Sequence, residues 1–400
     1  MRNLLVAQSG GPTAAINATL AGVINRAVKE PTIDKVYGAI HGIEGVLNNR
    51  FLVLNNLNLE ILKQTPAAFL GSCRKKLPDM SKDEKTYREI FSFFEANNIG
   101  YFLYIGGNDS MDTVCKLSDY AKEHNLDVKI IGVPKTIDND LANTDHTPGF
   151  GSAAKYVATT IGEITEDSLV YELKSVTIVE IMGRHAGWLT AAAGLSRNEH
   201  RSAPELIYLP EVNFSKQQFA ADIKAQFEKG INNVIVAVSE GIHDECGVLL
   251  CECGTSATDS FGHKILSGVG KVLENLVKEE IGCKVRSVEL NVCQRCAGHL
   301  LSKTDISESF LIGEKGVEAA LSGKTGEMMV FTRLSNKPYE VSIASADIHG
   351  SANVEKCVPK EWIVNGNDIS DELITYLRPL ILGEMPIRYG ADGLPEYLYR

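Results

Sequence analysis

The sequence predicts an α/β fold in which largely parallel sheets are covered by helices on both faces. Three observations predict it. Short, almost wholly apolar runs alternate with amphipathic stretches of helical length. Glycines, carboxylates and cations cluster immediately after those apolar runs, where open α/β sheets bind ligands. At 400 residues the chain is also long enough for two domains.

Taken in order, residues 4–8, 36–40, 101–105 and 129–133 are apolar enough to be buried strands. Residues 176–181, 234–239, 285–292 and 328–332 follow the same pattern in the later part of the chain. The stretches 14–28, 152–164, 217–228, 265–280 and 307–321 carry apolar residues at helical spacing and supply the covering layers. None of the apolar runs is long enough to cross a bilayer. The N-terminus enters a strand almost at once and lacks the basic, apolar, small-residue order of a signal peptide, so a cytoplasmic location is expected.

Hydrophobic residues make up 44% and charged residues 23%, the balance of an ordinary globular chain. The formal charge is −11 and no basic run is present, which argues against nucleic acid as a partner. A phosphorylated small molecule is still compatible, because only the local field of a cleft matters to it. Nine cysteines are scattered over the chain. Cys251, Cys253, Cys293 and Cys296 with His299 lack the paired Cys-x-x-Cys spacing of a structural zinc site, so reduced, mostly buried thiols are expected.

The strand-end motifs carry the functional signal. Ser9-Gly10-Gly11 lets backbone N–H groups approach an anion, although paired glycines are also common in plain turns. Neither the P-loop pattern nor the dinucleotide fingerprint is present, which argues against a dinucleotide-dependent oxidoreductase. In Gly106-Gly107-Asn108-Asp109-Ser110 an acid sits beside such glycines, either as a Mg²⁺ contact or filter, or as part of a helix cap. Pro134-Lys135-Thr136-Ile137-Asp138-Asn139-Asp140 is the most informative segment. In an extended segment Asp138 and Asp140 point the same way, so one can take a proton from a hydroxyl while the other holds Mg²⁺. Lys135 can neutralise a phosphate and Thr136 can donate a hydrogen bond. Arg184, Arg286 and Arg295 are further phosphate candidates, although each taken singly reads more readily as a surface ion pair. His185 and Trp188 read equally as packing residues, and Glu240 as a partner for sugar hydroxyls or as a cap for the loop at Gly241.

Together with Gly71-Ser72-Cys73-Arg74, Met182-Gly183-Arg184-His185-Ala186-Gly187, Glu240-Gly241 and Gln294-Arg295, these loops resemble the phosphofructokinase family over most of the chain. The resemblance implies two Rossmann-like three-layer domains with the active site in the cleft between them. It implies a Mg²⁺-dependent transfer of a phosphoryl group to the 1-hydroxyl of fructose 6-phosphate. Asp138 matches the general base and Asp140 a residue that supports Mg²⁺, with Asn108 and Asp109 as further metal contacts. Thr136, Met182, Gly183, Arg184, Glu240 and Arg295 match the sugar-phosphate site. Arg286 resembles a cation that reaches the 6-phosphate of a neighbouring subunit, which implies a homodimer or homotetramer with a shared site. Gly11 and Arg74 match donor contacts.

Asp109 and Lys135 decide the donor, since ATP-using relatives have glycine at both positions. An Asp there crowds and repels the α-phosphate of a nucleotide, and the Lys suits compact pyrophosphate. Ile43, where ATP users often carry an aromatic, points the same way. The pattern is therefore that of the pyrophosphate-dependent branch, with an ATP-dependent enzyme or a non-catalytic sugar-phosphate-binding regulator as the alternatives. The family pattern is departed from at Asn108, usually a carboxylate, and at Ser175 and Val292, where many relatives place a cation and a histidine against the 6-phosphate. Lys174 is a possible substitute. Residues 1–149 with about 294–345 are expected to bind the donor, and residues 150–293 with about 346–400 the sugar phosphate.

Overall fold

The computed structural model describes residues 1–251, 268–352 and 354–400. Its first sheet contains β1 (Arg2–Gln8), β2 (Ile33–Ala39), β3 (Phe51–Val53), β4 (Ile99–Gly106) and β5 (Lys129–Pro134). The second contains β6 (Ser175–Ile181), β7 (Leu206–Tyr208), β8 (Asn233–Ser239) and β9 (Lys284–Glu289). The chain then returns to the first sheet with β10 (Glu327–Asn336) and β11 (Tyr339–Asp347), giving the order β11-β10-β5-β4-β1-β2-β3. The second sheet has the order β7-β8-β6-β9 and is parallel throughout. In the first sheet only the edge strands β3 and β11 run antiparallel to their neighbours.

Register places the loops. Gln8 pairs with Ile105 and Gly106 with Pro134, so β1, β4 and β5 end level and release their loops side by side. In the second sheet Ile181 pairs with Ser239, so the loops after β6 and β8 are likewise adjacent. Alternation along β1 sends Leu5 and Ala7 into one apolar layer and Leu4 and Val6 into the other. Helices Ile16–Ala27 and Lys303–Leu321 cross on the Leu4 face. Their approach is close enough that a Cβ on Gly22 would lie 1.9 Å from the carbonyl oxygen of Phe310. The C-terminal helix Asp371–Leu377, capped by Ser370, inserts Leu373, Tyr376 and Leu377 into the core on one face of the second sheet.

Three expectations are corrected. The strand expected over 285–292 ends at Glu289, because Asn291 takes a positive φ of 42° and the chain turns into the one-turn helix Cys293–Cys296. β9 is a half-exposed edge strand rather than one buried on both faces. The cysteines are not mostly buried. Among the described residues only Cys73 is, whereas Cys246, Cys293, Cys296 and Cys357 are exposed. Cys253 and residues 265–267 of the helix expected at 265–280 lie outside the described residues, and that helix is seen as Val269–Glu280. Among the described residues no helix is long and apolar enough to cross a membrane.

Candidate active site

The strand-end loops of both sheets meet around one cavity of about 870 Å³. From the first sheet it is lined by Gly10, Gly11, Arg74, Lys76, Gly107, Asn108, Asp109, Lys135, Thr136, Asp138 and Asp140. From the second come Met182, Arg184, His185 and Glu240, with Asn291, Val292 and Arg295 from the connection that follows β9.

The turn after β1 depends on glycine. Gly10 has a φ of 77°, a conformation costly for other residues, and a Cβ there would approach Lys135 Nζ to 3.2 Å. Lys135 is 2% exposed, and its ammonium donates to the Gly11 carbonyl at 2.6 Å. Its backbone N–H donates to the Gly106 carbonyl at 2.9 Å, tying the β5 loop to the β4 loop. Burial lowers its pKa to about 8, and the charges of Asp138 and Asp140 oppose that fall.

After β4 the helix Asn108–Glu123 starts directly, with Gly107 as N-cap and no side-chain cap. The capping role considered for Asn108, Asp109 and Ser110 is therefore not used. The first N–H groups of a helix that points into the cavity favour an anion. Asp109 is paired instead with Lys76 at 2.9 Å.

Asp138 and Asp140 flank Asn139, whose φ is 55°. Asp138 accepts from Thr136 Oγ1 at 3.5 Å, and its own N–H donates to the same oxygen at 3.1 Å. Burial raises the Asp138 pKa, against the pull of Lys135, Arg184 and Arg295. Burial and then the Asp138 charge raise Asp140 to about 7. The Asn108 amide nitrogen lies 3.4 Å from Asp140 Oδ2. Asn108 Oδ1 and Asp140 Oδ1 are both buried without a hydrogen-bond partner. Orphan oxygens on two residues in contact, with the Asp138 carboxylate in the same lining, are hard donors of the kind a small divalent cation takes, so these residues fit Mg²⁺.

On the opposite wall the Met182 N–H donates to Gln294 Oε1 at 3.2 Å, and the Gly183 N–H faces Glu240 Oε1 at 3.4 Å. Gly183 itself does not line the cavity. Its φ of 138° and the Ala186 carbonyl, 2.6 Å from an added Cβ, make it a residue that shapes the loop. Burial and then the Asp138 charge raise Glu240 to about 7. His185 pairs with Glu355 at 2.8 Å, while Trp188 is buried and donates to the Lys356 carbonyl.

Several expected residues lie elsewhere. Arg286 is outside this cavity, on β9, 3.4 Å from Asp167. The expectation assigned it to a neighbouring subunit's site rather than to its own. Ser175 begins β6, at the end of the sheet away from the loops, and lines a small surface pocket that also contains Arg286. The Lys174 ammonium lies over the Phe227 ring. Ile43 is fully buried in the core. Sequence reasoning missed Lys76 and Glu355, which lack a strand-end motif of their own. A separate cluster, Cys115, Asp119 and His349, lies outside the cavity. There His349 is held between Asp347 and Asp119, which raise its pKa, so the cluster is satisfied as an ion pair.

Comparison with known proteins points to one family. The family model described as phosphofructokinase matches residues 3–319. The chain is 43% identical to the pyrophosphate–fructose 6-phosphate 1-phosphotransferase of Xanthomonas campestris, over 99% of this chain and 95% of that one. It is 31% identical to the sulfofructose kinase of Alkalicoccus urumqiensis, over 90% and 91% of the two chains. The solved structure of pyrophosphate-dependent phosphofructokinase from Nitrosospira multiformis superposes with a TM-score of 0.89 at 37% identity, covering 99% of this chain and 96% of that one.

Proposed function

The chain belongs to the phosphofructokinase family, and from that premise we propose that it transfers a phosphoryl group reversibly between pyrophosphate and the 1-hydroxyl of fructose 6-phosphate. The products are fructose 1,6-bisphosphate and phosphate, in the glycolytic and gluconeogenic chemistry of the cytoplasm. The observation that carries this reading is the placement of Asp138. It stands in one cavity between the glycine turns of the first sheet and the Met182, Arg184 and Glu240 wall of the second.

The donor would lie against Gly11, Arg74, Lys135 and the start of the helix at Asn108, and the acceptor against Thr136, Met182, Arg184, Glu240 and Arg295. The first sheet with its helices is then the donor half and the second the acceptor half. Asp138 accepts the proton of the 1-hydroxyl as its oxygen forms the bond to phosphorus, and the bond from that phosphorus to the bridging oxygen breaks to release phosphate. Lys135, Arg74, Arg184 and Arg295 offset the charge spread over the transferring group. Asn108 and Asp140, with Asp109 beside them, would hold Mg²⁺, which when bound supplies further neutralisation of the phosphoryl oxygens.

Asp109 and Lys135 support pyrophosphate over ATP. A carboxylate at the first turn of the helix stands where additional nucleotide phosphate would have to pass, and a buried ammonium suits a compact anion. Arg286, exposed on an edge strand, is assigned to the site of a second subunit in a homo-oligomer.

The test is fructose 1,6-bisphosphate formation from fructose 6-phosphate and Mg²⁺ with equal pyrophosphate or ATP. Product with pyrophosphate alone is expected, and product with ATP alone would overturn the donor assignment. Asp138→Ala should lower turnover by about 10² or more. A folded variant with unchanged turnover would remove Asp138 as the base.

A further inference from the structure

The residue between the two active-site carboxylates is held from a distant part of the chain. Asn139 is fully buried and has a left-handed φ of 55°. Its amide nitrogen donates to the hydroxyl of Tyr376 at 2.9 Å. That hydroxyl in turn donates to the Asp145 carbonyl at 2.5 Å, so a single phenol oxygen joins both ends of the loop that carries Asp138 and Asp140. Burial and then the Asp145 charge push the Tyr376 pKa up, which keeps the phenol a donor at any working pH.

Tyr376 is itself fixed on every side. Its ring lies 5.3 Å from Trp188 and 5.7 Å from Trp362, with the Arg333 guanidinium 4.4 Å from its centroid. Arg333 donates to the Tyr376 carbonyl at 2.8 Å and to the Asp145 carboxylate at 3.0 Å. The same Asp145 oxygen that Arg333 meets is also met by Nδ1 of the buried His146, whose Nε2 meets Glu308 at 2.8 Å. A buried network of hydrogen bonds and ring contacts therefore ends on the turn whose two carboxylates need a fixed separation, with Asn139 Oδ1 and Arg333 Nη2 as its members without a hydrogen-bond partner.

We propose that Tyr376 is a positioning residue, which acts through Asn139 to hold Asp138 and Asp140 in the geometry that proton removal and metal binding require. This inference rests on the reaction proposed above. It gives a role in turnover to the C-terminal helix, whose side chains contribute nothing to the cavity lining.

Tyr376→Phe keeps the ring and its packing and removes only the hydroxyl, leaving the Asn139 amide unpaired. The turnover number is expected to fall about 10-fold, with KM for pyrophosphate and fructose 6-phosphate within about 2-fold of wild type. In the Asp138→Ala background the same change should cost clearly less than its roughly 10-fold in wild type, because one of the two carboxylates it positions is gone. Asn139→Gly, which tolerates the positive φ, should reproduce the loss. Amide hydrogen exchange over residues 136–145 should quicken in Tyr376→Phe, without Mg²⁺ or substrates. Wild-type turnover in Tyr376→Phe, or an additive loss in the Asp138→Ala background, would overturn the proposal. If wild type itself makes no product, the reaction assignment fails. Exchange over 136–145 then decides this inference, and unchanged exchange would sink it.

Discussion

Replacing Asp140 by Asn should make the empty protein more stable at alkaline pH while impairing its chemistry. Burial raises the Asp140 pKa first, and the Asp138 charge adds to it. A carboxyl with a raised pKa binds its proton more tightly in the folded state. Its ionisation therefore costs stability as pH rises from about 4 to about 7, and the cost is complete above that. The rise from the ordinary aspartate value of 3.8 to about 7 corresponds to at most about 4 kcal/mol. Asp140 lines an open cavity, so water screens part of this, and an Asn no longer attracts Lys135. About 2 kcal/mol is the expected gain near pH 8, and about 0.5 kcal/mol near pH 4.5. At roughly 2 cal/mol/K per residue, 400 residues convert the alkaline gain into a Tm increase of about 2–3 °C. Calorimetry of wild type and Asp140→Asn without Mg²⁺ or ligands, at the two pH values, measures both. Turnover with Mg²⁺ should fall about 10² or more, since the proposed metal site loses a carboxylate charge and keeps at most a weaker amide oxygen at that position. A Tm gain equal at both pH values, or a loss near pH 8, would refute the claim that ionised Asp140 is held at a cost.

The remaining predictions concern the donor and the pH profile. Asp109→Gly releases Lys76 and removes the carboxylate at the start of the helix, so kcat/KM for ATP should rise about 10-fold relative to that for pyrophosphate. An unchanged ratio would show that Asp109 is not the donor filter. The dependence of kcat/KM on pH should be bell-shaped. Asp138, with its raised pKa, must lose its proton on the acid side, and Lys135, at about 8, must keep its own on the alkaline side. In Lys135→Arg the alkaline fall should move out of the measured range, and its persistence would assign that limb to another group.

The candidate site was legible in the sequence to the extent that its chemistry is local. The pieces at Gly10, Asn108, Lys135 to Asp140 and Met182 each follow a strand directly, so strand ends in an open parallel sheet give their common location. Edges and long-range contacts were less legible. β11 pairs only with β10 and shows neither a buried run nor a regular alternation, and β3 and β7 span three residues each, too few to show a period. Tyr376 and Asn139 are 237 positions apart, and no local pattern announces such a hydrogen bond. The pairing of Asp109 with Lys76 escaped for the same reason, because Lys76 belongs to a loop with no strand-end motif.

The network behind the proposed catalytic turn and the strained charges within it have one physical explanation. Five Lys or Arg and five Asp or Glu side chains line the cavity, with His185 beside them, so an acidic chain of net charge −11 has built a nearly balanced site rather than a strongly basic one. In the empty protein that balance is unfavourable. Asp140 and Glu240 are lifted to about 7 and Lys135 is lowered to about 8, each chiefly by burial. Polyanionic substrates and a divalent ion would change the sign of this cost, since the ion favours the ionised carboxylate and the phosphates favour the charged lysine. A turn carrying two carboxylates under such repulsion relaxes outward unless something opposes it. Flexible loops yield to strain of this kind, whereas a buried network ending in a phenol hydroxyl resists it. The Tyr376–Asn139 contact thus stands where the cost of keeping Asp138 and Asp140 together is greatest, which is why a residue outside the cavity can govern what happens inside it.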